Sequence, residues 1–77
     1  MKIYVVTCTF NVSRMLVDCA FNALKDAKAY AAGLNKDGVK AAARCKDLIA
    51  LREGREAVPF FVEESGVRFE VVDVEVK

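Results

Sequence analysis

The sequence predicts an α+β fold in the order ββααββ: a mainly antiparallel four-stranded sheet with one broken helix or two helices packed on one face. Three observations carry that expectation. The middle of the chain, 21–52, is rich in alanine, the residue that costs least to hold in a helix. The stretches before and after it are rich in Val, Ile, Phe and Thr, which suit a pleated surface. A cluster of turn formers, Asn35-Lys36-Asp37-Gly38, interrupts the alanine-rich part.

The first strand is expected over Lys2–Phe10. Its β-branched and aromatic residues are continuous, as in a central strand covered on both faces. Asn11-Val12-Ser13 supplies turn chemistry. Residues 13–22 fit two patterns: Met15, Val17, Cys19 and Phe21 alternate as in a half-buried strand, while Leu16, Ala20 and Ala23 stand at helical spacing. The strand is favoured, because Val17, Cys19 and Phe21 together suit a helix poorly and Asn22 suits the N-cap of a helix beginning after it.

A first helix is then expected from about Ala23 to Leu34, with Ala23, Ala27, Tyr30 and Leu34 in one apolar stripe and Gly33 weakening the last turn. Asp37 is expected to cap a second helix reaching about Arg52, with Ala42, Cys45 and Ile49 facing inward; a kink in one long helix is the alternative. Glu53-Gly54 ends it, since glycine tolerates a left-handed cap. Ala57–Glu63 reads as a third strand, kept to a sheet edge by Pro59. Val67–Val76 reads as a fourth, with an alternation that changes phase near Val71 and so implies a bulge or burial on both sides.

Seventy-seven residues at 55% hydrophobic content suit a single domain, 1–77, with a core of its own. Three cysteines, an odd number without close spacing, point to a reducing compartment, and no run of residues is apolar enough for a membrane span, so a cytoplasmic protein is expected. Histidine is absent, which removes the commonest general base. The cysteines lack zinc spacing and the glycines form no phosphate loop. A non-enzymatic protein with no cofactor, metal or small-molecule substrate is expected.

Charge is unevenly laid out. Residues 1–55 carry ten basic and five acidic side chains, a balance of +5; residues 56–77 carry two and six, a balance of −4. Two candidate contact surfaces follow. One is the acidic set Glu63, Glu64, Glu70, Asp73 and Glu75, suited to a protein that otherwise holds nucleic acid. The other is the basic row Lys36, Lys40 and Arg44, suited to an anionic partner, nucleic acid included. Each set also has a plainer reading, as a solvated helix face or as protection of a strand edge. A sheet covered by helices on one face only would leave apolar side chains on the other, so a homodimer or a protein partner is expected at the open sheet face or the last strand.

The stretches 1–10, 21–31 (Phe-Asn-Ala-Leu-Lys-Asp-Ala-Lys-Ala-Tyr-Ala) and 57–66 resemble short phage and prophage accessory proteins, anti-CRISPR proteins among them. The resemblance implies a compact α+β protein that binds and blocks a larger partner. It assigns no role to any particular residue.

Overall fold

The computed structural model describes residues 1–11, 14–54 and 66–76. Two strands, two helices and a third strand follow one another: β1 (Lys2–Phe10), β2 (Arg14–Phe21), α1 (Leu24–Asn35), α2 (Gly38–Glu53) and β3 (Arg68–Glu75). The sheet is antiparallel in the order β2-β1-β3. The α+β class and the helix pair are as expected; the strand count is not. Three described strands stand where four were expected, and the segment expected as the third, 57–63, lies outside the described residues. β1 is flanked on both sides, by β2 and β3.

β1 earns its central place through its two faces. Val6, Cys8 and Phe10 are fully buried on one, and Thr7 on the other is 6% exposed. Asn11 leaves the strand at φ 48°, a left-handed conformation that asparagine tolerates better than most residues. Residues 14–21 form a strand, not a helix, but one whose alternation breaks midway. Cys19 pairs with Val6 while Val17 pairs with Thr7, so Asp18 is the extra residue of a β-bulge. Met15 and Val17 therefore face away from the helices, whereas Cys19 and Phe21 pack against the core. Neither the bulge near Val71 nor the burial on both sides expected as its alternative is found: β3 runs in unbroken register with β1 and its far face is exposed. Its change of phase has a simpler cause. Phe69 and Val71 face the helices, while Val72 and Val74 face outward at 48% and 40% exposure.

α1 begins one residue later than expected. Its N-cap is Ala23, without a side-chain cap, and Asn22 lies just before it, because the ladder of β2 holds the chain extended as far as Phe21. Asp26 in the first turn complements the positive end of the helix. The break before α2 is a true junction. The Asp37 carboxylate accepts from Val39 N at 3.0 Å and Lys40 N at 3.3 Å, satisfying two donors that would otherwise be orphaned. Gly54 closes α2 at φ 94°, a conformation few other residues adopt.

Both helices lie on the Val6–Cys8–Phe10 side of the sheet. Ala27 and Ala31 of α1 and Ala41, Ala42, Cys45, Leu48 and Ile49 of α2 join those residues and Phe69 in one core. Small side chains on the helices let the backbones come close, and Phe10, Phe69 and Leu48 fill the space left. Each of these large side chains contributes about 1.5–3 kcal/mol by leaving water.

Candidate interaction surface

The face of the sheet turned away from the helices is apolar and exposed. Met15 at 62%, Val17 at 45% and Val72 at 48% combine with Val74, and Ile3 and Val5 of β1 lie half-buried between the two outer strands. Its described charges, Arg68 and Glu70, sit together at the start of β3.

The acidic residues expected to form one surface are divided by the pleat. Glu70 points to the open face. Asp73 and Glu75 share the helix-side face with Phe69 and Val71, since successive strand residues alternate. Asp73 receives Lys2 Nζ at 3.4 Å and Glu75 the N-terminal amine at 3.3 Å, both well exposed and so weak. Glu63 and Glu64 lie outside the described residues.

The basic row is broken as well. Lys36 and Lys40 are exposed, but Lys36 closes α1 while Lys40 belongs to the first turn of α2. Arg44 is turned inward onto Asp18. Its Nε donates to both carboxylate oxygens, at 3.1 and 3.3 Å, and a terminal nitrogen donates to Oδ1. Tyr30 Oη donates to Oδ2 at 2.6 Å, and the Tyr30 ring leans on Phe21 with centroids 5.6 Å apart. The Asp18 side chain is 0% exposed, so what surface the residue retains belongs to its backbone. The bulge makes this node: without the extra residue, Asp18 would follow the alternation of its neighbours instead of meeting both helices.

The node sets its own protonation states. Burial, aided by the hydrogen bond to Asp18, pushes the Tyr30 phenol up to about 12. The hydrogen bond to Asp18 outweighs burial for Arg44 and raises its pKa further above an already high value. Cys19, beside the node, is held neutral by burial and by the Asp18 carboxylate. Cys8 and Cys45 are wholly buried, and burial raises both thiols likewise. Thiols so held are poor nucleophiles. Among the described residues no group of three or more His, Cys, Asp or Glu could hold a metal ion. No described helix is long and apolar enough to cross a membrane.

The side chains of Asn35 and Arg52 reach the outward backbone of the sheet. Asn35, the last residue of α1, donates through Nδ2 to Phe69 O at 2.8 Å and accepts from Phe69 N at 2.9 Å. Its carboxamide thus stands where a neighbouring peptide unit would. Arg52 of α2 donates to Val17 O at 3.1 Å on the other edge. Beside β3, a cleft of about 340 Å³ opens between Leu24 and Lys28 of α1 and Val71 and Asp73 of β3, with Tyr4 and Lys2 at its floor.

Reading the sequence alone did not single out Asp18, Tyr30 or Asn35. The available signal was Asp18 itself, a lone acid inside an apolar strand.

Comparison with protein-family models, with curated proteins and with solved structures finds no match. Architecture and surface define the class: a two-layer α+β protein with helices on one sheet face and an exposed apolar face opposite.

Proposed function

We propose that the protein is a non-enzymatic interaction module that binds a larger protein and blocks it, as a phage-type inhibitor does. The observation that carries this reading is the apolar open face. Small proteins seldom leave such a continuous patch in water unless something else covers it. The acids of β3 add a reason to expect a partner that otherwise handles nucleic acid, because carboxylates at a strand edge can occupy sites built for phosphates. The engagement of Arg44 by Asp18 weighs against the alternative of a nucleic-acid module using the helices, since it leaves Lys36 and Lys40 without the third member of their row.

The test is affinity purification from the native host, followed by reconstitution with the recovered protein. The expected result is a stable one-to-one complex that inhibits the partner and is lost when Glu70, Asp73 and Glu75 are changed to Lys. A strict monomer at high concentration with no partner recovered would overturn the reading. So would a gel shift with nucleic acid that fades steeply with salt and disappears in Lys36→Glu/Lys40→Glu. A homodimer unaffected by either charge set would point instead to a structural role for the open face.

A further inference from the structure

The two faces of β3 are already assigned, but its outer edge is not. Val76 N donates to Met1 O at 2.8 Å, continuing the ladder, so the even-numbered residues of β3 bond to β1 and the odd-numbered ones turn their N–H and C=O outward. Phe69 is met there by Asn35. Among the described residues none bonds to the outward backbone groups of Val71 and Asp73. Unpaired strand groups of this kind are a template for another strand, and the cleft beside them, between α1 and β3, has room for side chains of the strand that would pair.

We propose that the outer edge of β3, from Val71 to Glu75, takes an added strand from the partner: an extended segment with cationic ends and an apolar middle. This rests on the protein-binding reading above and gives it a mode. Main-chain hydrogen bonds supply affinity and alternate side chains supply specificity. The charge of the edge selects the segment, since β3 carries one arginine against three acids and Glu70 has no ion-pair partner among the described residues. In antiparallel addition, a cation belongs opposite Glu70 and another opposite Glu75. Apolar side chains belong opposite Val72 and Val74 on the open face, and one opposite Val71 enters the cleft.

A second copy of the chain fits worse. An antiparallel self-pair that leaves Asn35 on Phe69 sets acid against acid: Asp73 against Asp73, Asp73 against Glu75, or Glu75 against Glu75 of the copy. The registers that avoid this place Phe69 in the new ladder and require its Asn35 contacts to be given up.

The probe is the capped hexapeptide Lys-Val-Thr-Val-Leu-Lys, added to the full chain and followed by NMR-detected amide exchange. It should slow exchange at Val71 and Asp73. N-methylation of its Thr and Leu removes donors facing β3 and should weaken binding about tenfold. N-methylation of its two Val residues, whose N–H groups point away, should change binding less than about threefold. Glu70→Lys with Glu75→Lys should abolish binding of the parent peptide, and replacing both peptide Lys by Glu should restore it. Equal binding of the two N-methylated peptides overturns the inference, as does binding without protection at Val71 and Asp73, or no binding at millimolar peptide. If the peptide fails while a reconstituted host complex is lost in Met15→Lys/Val17→Lys, the edge inference falls and the protein-binding reading stands. If both fail, both fall.

Discussion

The two outer strands of the sheet are finished in opposite ways. β2 is tied to both helices: its bulge turns Asp18 onto Tyr30 and Arg44, and Arg52 takes the outward carbonyl of Val17. Among the described residues β3 is met at one point, where Asn35 binds both backbone groups of Phe69, and beyond it the ladder positions of Val71 and Asp73 face outward with no described partner. A bulge and a borrowed guanidinium make an edge hard to extend, whereas a straight edge with one stopper stays open along the rest of its length. The difference teaches where stability and recognition are separated in so small a chain: β2 spends its polar groups on its own helices, and β3 keeps its own for contact.

The largest expected effect comes from breaking the β2 side. Arg44→Met should cost about 3–5 kcal/mol, because it leaves the carboxylate of Asp18 buried without its cation. Asp18→Ala should cost less, since the Arg44 side chain is 35% exposed and can turn to water. Urea unfolding of the two variants checks the asymmetry; equal losses would mean that the bond, not the stranded charge, dominates.

Next in size is Asn35→Ala, which removes two hydrogen bonds from the β3 edge and should cost about 1–3 kcal/mol. It should speed amide exchange at Phe69 towards the rate of Val71, turning the one-stopper edge into a fully open one.

Smallest near neutral pH is Tyr30→Phe, at about 1–2 kcal/mol, since Arg44 still serves Asp18. Its signature is the pH dependence. The folded-state value of Tyr30 lies above the ordinary value of 10. The stabilisation is therefore complete below about pH 10 and is lost as pH rises towards 12. Thermal melts across that range should fall more steeply for the native protein than for Tyr30→Phe.

Much of the architecture was legible from residue types. The alanine spacing marked both helices, Asp37 and Gly54 marked the ends of α2, and the continuous β-branched run marked β1 as central. The faces of β2 were not legible. Strict alternation places Met15, Val17, Cys19 and Phe21 together, and only a bulge, whose position depends on the partner strand, separates the first pair from the second. In β3 the same difficulty ran the other way: a change of phase that suggested a bulge reflects an unbroken strand with an exposed apolar far face. The charge patches misled for a related reason. Spacing along a helix grouped Arg44 with Lys40, but its partner, Asp18, lies 26 positions away in the chain. Composition singled out the acids of β3, and the pleat then divided them.

The carboxamide of Asn35 also works together with the Phe69 ring. It clasps the outward amide and carbonyl at one position of β3, and a shift of that strand by one place against β1 would bring Glu70 there and turn every side chain of β3 to the other face. The same shift would drive a carboxylate into the space filled by the Phe69 ring. The clasp at the close of a helix and the buried ring beside it together fix the alignment of a strand that arrives 34 residues later.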